Sequence, residues 1–320
     1  MRGPISALIE RWRYLDIRIP ASRDVTIRIV ERPGRWMDRA ACDALLADMR
    51  AVVASTLADG LEYGVLSGDS ERLRQAVVTI LYDKASGRPI AFNALTVMPL
   101  ELRGQTIEAI HLGLVMVDPG FRTQGLSWVL YGLTCIMMFF RRGLRPLWIS
   151  NVTQVPAIIG KVAEAFGSAW PNPFAEERRS FDHVCVAREI MAGQRHVFGV
   201  GAEAGFDEDR FVITNAYTGG SDNLKKTFEQ APKHRDPRAN ALCEKELDYG
   251  RGDDFLQIAR LDMPSVRAFL LREVPRASLP AVLYQVAFMV TAHMLLPVLH
   301  WLNPREPMGE LRARARKGVT

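Results

Sequence analysis

Cysteine is scarce in this chain: Cys42, Cys135, Cys185 and Cys243 are the four in 320 residues, and no two stand at a short pair spacing. That argues against a zinc ribbon and suits reduced thiols in a cytosolic compartment. A secretory leader is not expected either, because Ile5 to Leu15 is broken by Glu10, Arg11 and Arg13. Internal repeats are lacking. The charge is not one-sided: 41 basic against 36 acidic residues leave +5, with a pI near 9.1. Such a surplus suits an anionic partner, and a nucleotide cofactor, an anionic lipid and a nucleic acid all fit it. What is present is an apolar fraction of 48% beside 24% charged residues, ordinary for a folded globular protein and contrary to large-scale disorder.

One apolar run stands apart. Leu279 to Leu302 has no Asp, Glu, Lys or Arg over 24 residues, enough to cross a bilayer at roughly 20 residues per span. Gln285, Thr291, His293, Pro297 and His300 weaken a simple lipid-facing helix. A membrane-embedded segment, a protein-buried helix and a dimer contact stay open. Residues 5–15 place Ile5, Leu8, Ile9 and Trp12 at helical spacing, an amphipathic arm that either packs on the domain or lies at a membrane interface.

Between these ends the pattern alternates. A strand is expected at Val25–Val30, a helix from Trp36 to Ala58, and a hairpin of Ala76–Tyr82 with Ile90–Val97 around the Asp83–Pro89 turn. A strand from Thr106 to Val117 leads into a helix starting near Gln124, with body Leu126–Phe140. Strands at Pro146–Ser150 and His183–Arg188 flank a helix at Pro156–Phe166. Residues 191–262 read as an insertion or lid that ends in a returning strand, Phe255–Leu261, with a helix from Pro264. The division is thus an arm (1–20), a core (21–190), the insertion (191–262), the apolar helical segment (263–303) and a basic tail (304–320). This order suits an α+β, mixed α/β fold: a twisted mixed sheet flanked by helices.

The most informative stretch is Val117 to Ser127. A strand ends at Val117, Asp118-Pro119-Gly120 turns, and Arg122-Thr123-Gln124-Gly125-Leu126-Ser127 opens an apolar helix. A helix start offers unpaired N–H groups and the positive end of the macrodipole, which bind phosphate. Gly125 lets a diphosphate approach where a Cβ would intrude, and Arg122 adds charge.

This stretch resembles the acyl-CoA-binding motif of the GNAT superfamily of N-acyltransferases, R/Q-x-x-G-x-G/A, after its V-x-P turn; Ser127 stands for the usual small final residue. The likeness spans about residues 24–190. It implies acyl-CoA as co-substrate with no permanently bound cofactor. Backbone groups of Val115 and Val117 would pair with the pantetheine arm, and amides from Thr123 to Ser127 would hold the pyrophosphate. It also places His111 where relatives carry a Glu base, with Glu108 in reserve. An imidazole suits that task, since amine acylation needs a neutral amine. A satisfied strand histidine is the plain alternative for His111. Lys161 occupies the place of the usual Tyr acid, and Tyr249 could substitute.

Two look-alikes are set aside. Gly199–Gly205 imitates a dinucleotide fingerprint, but Glu203, Asp207, Glu208 and Asp209 would face the phosphates. His183 and Cys185 share a strand face with no second ligand pair, so no metal site is expected. The apolar segment and the arm favour a lipid-like acceptor amine at a membrane surface. By general architecture the chain is similar to the bacterial ceramide synthases, which implies a long-chain sphingoid-type base as acceptor and acyl-CoA or acyl carrier protein as donor. A small soluble amine or a non-catalytic binding module are the alternatives. No nucleic acid partner is expected, and the location is cytoplasmic, with or without inner-membrane association.

Overall fold

The structure, a computed structural model, describes residues 14–57, 60–61, 64–122, 126, 129–175, 178–219, 221–276 and 278–302, less the side chains of 131, 223, 292, 293, 296, 297, 300 and 301. Its strands are β1 (Asp16–Pro20), β2 (Val25–Glu31), β3 (Ala76–Asp83), β4 (Pro89–Leu102), β5 (Gln105–His111), β6 (Val115–Val117), β7 (Leu147–Thr153), β8 (Gly167–Trp170), β9 (Gly205–Asp207), β10 (Val212–Thr214) and β11 (Asp254–Leu261). Its helices are α1 (Arg39–Ala54), α2 (Ser70–Gln75), α3 (Thr134–Arg141), α4 (Pro156–Ala165), α5 (Phe181–Gly193), α6 (Pro237–Glu246), α7 (Met263–Arg272) and α8 (Leu279–Leu302).

The eleven strands of the described residues join one sheet in the order β1-β2-β3-β4-β5-β7-β11-β10-β9, with β6 on β4 and β8 on β11. Among the described residues only β5 and β7 run parallel, in register Ala109 to Trp148 and His111 to Ser150. The sheet is covered on both faces, so its central strands are apolar throughout rather than alternating. In β3, Val77 and Leu81 join the core under α3, while Val78 and Ile80 join the core under α1. The expected mixed sheet with flanking helices is what forms.

Several local expectations need correction. His183–Arg188 is not a strand but part of α5. Ser180 accepts from the His183 amide, and the His183 ring takes the Ser180 N–H at 3.1 Å, which closes a capping box. Val186, Ala187, Ile190 and Met191 then fall on one buried face at helical spacing. Over six residues strand and helix patterns coincide, and the longer repeat decides. The arm expected over 1–20 ends in a strand, Asp16–Pro20, paired to β2. Residues 1–13 and the basic tail lie outside the described residues. The expected 106–117 strand is two strands, β5 and β6. The helix after them begins as a π-turn, Val129–Leu133, before α3. Asn93 of β4 donates to the Leu130 carbonyl and lies 3.4 Å from the Thr134 hydroxyl, so a buried amide from the sheet occupies the loosened turn.

Helix α8 packs on β1 and α3 through Val282 and Met289, and Ser278 ties its start to the Ala21 carbonyl at 2.9 Å. Leu283, Tyr284, Met294 and Val298 are exposed, Met294 by 71%. Among the described residues no helix is long and apolar enough to cross a membrane. The ring positions of His293 and His300 lie outside the described set.

Candidate active site

The site begins with a counting mismatch between two strands. His111 pairs with Thr96, whereas Val115 pairs with Asn93. Three residues, Leu112 to Leu114, therefore face two, Ala94 and Leu95, across a β-bulge. Gly113 sits in the bulge, where an added Cβ would overlap the Ala94 carbonyl oxygen. The bulge turns β6 away from β7. Parallel pairing ends with the Leu112 amide on Ser150 at 2.8 Å, and beyond it Val115–Val117 and Asn151–Thr153 diverge.

The gap is a cleft of about 670 Å³. Asp118 and Ala94 bond across the β4–β6 pair, through Asp118 N to Ile90 O and Ala94 N to Leu114 O. Because direction alternates along a strand, even-numbered residues of β6 bond to β4 and the main chains of Val115 and Val117 face the cleft. Leu126 and Leu130 form a greasy wall, and Arg122 stands at the mouth with its Nε 3.4 Å from the Val117 carbonyl. Thr123, Gln124, Gly125 and Ser127 lie outside the described residues.

His111 lines the cleft but is 3% exposed. Its Nδ1 lies 3.0 Å from the Ser150 hydroxyl, and its ring centre is 5.2 Å from that of Phe198. Burial pushes its pKa down to about 4, so the ring is neutral at pH 7 and a poor proton acceptor. Glu108 points to the opposite face of β5 and ion-pairs with Arg32 (2.6 Å) and Arg142. It is not among the residues lining the cleft. Tyr249 spends its hydroxyl on the Gln154 main-chain carbonyl at 2.7 Å and packs against Phe228. Burial raises its pKa, and it too lies away from the lining. Lys161 lines a different crevice, between α4 and α7.

The group that sequence reasoning missed is Asp254. It opens β11, next to β7 in the sheet, is 5% exposed and lines the cleft. Burial pushes its pKa up to about 7; a hydrogen bond from the Tyr217 hydroxyl at 3.0 Å opposes the shift, and neighbouring Asp253 adds to it. Asp253 is itself held by Arg251 at 2.7 Å, so the nearest guanidinium is already taken. Tyr217 also touches the Gln154 side chain at 2.6 Å. That amide is satisfied when its oxygen faces Tyr217 and the Lys226 amide (2.8 Å) and its nitrogen faces the Lys226 carbonyl. The Tyr217 proton thus has two acceptors. The available signal was an acidic pair, Asp253-Asp254, abutting an apolar strand. Tyr217, Leu224 and Lys226 bring the 191–262 stretch to the same cleft.

No family model matches the chain, and no curated protein does. Among solved structures it is similar to an acetyltransferase of Trypanosoma brucei, 25% identical over 36% of this chain and 74% of that one, at a TM-score of 0.26. It is similar to the ribosomal L7/L12 alpha-N-protein acetyltransferase RimL, 15% identical over 42% and 72% at 0.27. A third is the GNAT family N-acetyltransferase YhbS from Escherichia coli in complex with CoA, 19% identical over 45% and 67% at 0.24.

Proposed function

We propose that this protein transfers an acyl group from an acyl-CoA thioester to a primary amine in the cleft between β6 and β7. The observation that carries the reading is the bulged, splayed strand pair with cleft-facing main chain on one wall and a near-neutral carboxyl, Asp254, on the other. Val115 and Val117 would hold the pantetheine amides, and Arg122 with the amides of Thr123 to Ser127 the diphosphate. The amine nitrogen attacks the thioester carbonyl; a C–N bond forms, the C–S bond breaks and its electron pair leaves with sulfur as thiolate. The nitrogen's proton goes to Asp254, whose pKa near 7 matches the operating pH. We assign that role to Asp254 rather than His111. His111 shapes the wall. Tyr217 follows the proton by switching acceptor, and the 191–262 stretch covers the acceptor end.

Calorimetry with acyl-CoA tests the cradle. Gly125→Asp should weaken binding at least tenfold, because a carboxylate is set against the diphosphate, while the melting temperature stays within a few degrees. Unchanged affinity would remove the cradle.

For the acceptor, we propose a long-chain amine of the sphingoid kind, acylated from acyl-CoA or acyl carrier protein to a ceramide-like lipid. The exposed apolar face of α8 and the apolar cleft lining, Leu112, Leu114, Met116 and Phe121 among them, support it. Each buried CH₂ contributes about 0.8 kcal/mol, so such substrates reside in bilayers and are best met at the surface. The protein should co-sediment with phosphatidylglycerol–phosphatidylethanolamine vesicles, and Leu283→Asp with Met294→Asp should abolish that and turnover of vesicle-borne amine. A double variant with unimpaired vesicle turnover, or a wild type that acylates only short, soluble amines, would end the lipid reading.

A further inference from the structure

A second cavity, of about 290 Å³, lies at the other end of β7 from the cleft. Trp148, Trp170, Arg178, Asp182, His183 and Arg260 line it. Most of its polar groups are committed. Asp182 is held by Arg103 at 2.5 Å. His183 takes the Ser180 N–H and hydroxyl on Nδ1 and meets the Ser168 carbonyl with Nε2 at 2.6 Å. Arg178 and Arg260 are different. Among the described residues neither guanidinium has a hydrogen bond or an ion pair, and that of Arg260 lies 5.1 Å over the Trp148 ring. The Trp170 indole N–H is also buried with no acceptor.

Arg260 and the exposed Arg178 put two like charges beside one cavity, at a cost to the half-buried Arg260, and a buried N–H without an acceptor costs free energy. Both costs fall if an anion with acceptor oxygens enters, since guanidinium forks match carboxylate and phosphate oxygens. Asp182 cannot serve, because Arg103 already holds it. We propose that this cavity binds a small organic oxyanion, a carboxylate or phosphate on a compact molecule, with Arg260 and Arg178 as its charge partners and Trp170 as an added donor. Arg260, held over the Trp148 ring, is pre-positioned with less rotamer entropy left to lose. The ligand would sit against β7, the strand whose far end lines the cleft.

Titration calorimetry of the full chain with inorganic phosphate and, separately, with succinate tests this without any acyl donor, so failure of the acyl-transfer reading leaves the result intact. Saturable binding of one probe with a Kd below about 1 mM is expected. Phosphate preference would indicate a phosphorylated ligand and succinate preference a carboxylate. Arg260→Gln should weaken binding at least tenfold, Arg260→Lys less, and Trp170→Phe by a smaller factor. Should Arg260→Gln fail to fold, Arg178→Gln on the exposed residue gives the same reading. No binding of either probe at 10-fold higher concentration, or phosphate binding that survives both arginine variants and so belongs to the cleft, would overturn the proposal.

Discussion

Replacing Asp254 with asparagine is expected to lower kcat by about 10²- to 10⁴-fold, the usual worth of a positioned base, while raising the melting temperature at pH 8. Both effects come from one cause. The Asp254 carboxyl is buried, so its charged form is disfavoured and its pKa stands near 7 against an ordinary 3.8. Between those values the folded state holds a proton that the unfolded state has released. Stability therefore falls as pH rises from about 4 through 7, and the ionised carboxylate at pH 8 costs on the order of a few kcal/mol. Asparagine keeps an oxygen for Tyr217 and cannot ionise, so it removes that cost and the base together, a trade common at active sites. Thermal melts at pH 4 and pH 8 should show the variant gaining only at the higher pH.

Log kcat of the native protein should climb with unit slope up to about pH 7 and level off above it, and the variant should lose this inflection. His111, with a pKa near 4, would give no break between pH 6 and 8. A native profile flat across that range, or near-native kcat in Asp254→Asn, removes Asp254 from proton transfer.

The second large effect is expected at Gly113. A Cβ there meets the Ala94 carbonyl oxygen, which is main chain of a residue whose own N–H is bonded to the Leu114 carbonyl, so neither side yields cheaply. Gly113→Ala should cost roughly 1–3 kcal/mol of stability in denaturant unfolding, the range for overpacking a tight site. Relieving the clash means straightening the bulge, which returns β6 toward β7 and narrows the cleft. Activity should fall by more than tenfold even under conditions where the variant is fully folded. Native-like stability with full turnover would show that the bulge does not set the cleft.

The readable parts of this protein were those whose physics is local. The apolar run of Ala76–Tyr82, the Asp83–Pro89 turn and the apolar stretch after Gly125 each announce their element by periodicity or by a turn residue. The cradle proposed after Val117 is legible in sequence because phosphate binding at a helix start depends on backbone and a missing side chain, which a short sequence window displays. The misread His183–Arg188 segment fails for the same reason in reverse. Its capping residue, Ser180, lay outside the six-residue window, and its buried partners stretch to Met191.

Hydrophobic spacing and turn chemistry act over neighbouring residues, which is why the mixed sheet and the position of the strand-to-helix turn are legible in the sequence alone. Tertiary structure alone decided which acid meets the cleft. Glu108 and Asp254 are equivalent as letters, but alternation on β5 and two arginines occupy Glu108, while burial beside β7 with Arg251 spent on Asp253 leaves Asp254 protonatable near neutrality. A carboxyl's pKa depends on the solvent and charges within a few ångströms, and the fold brings Arg32 and Arg142 to Glu108 and Tyr217 to Asp254 from outside any short sequence window.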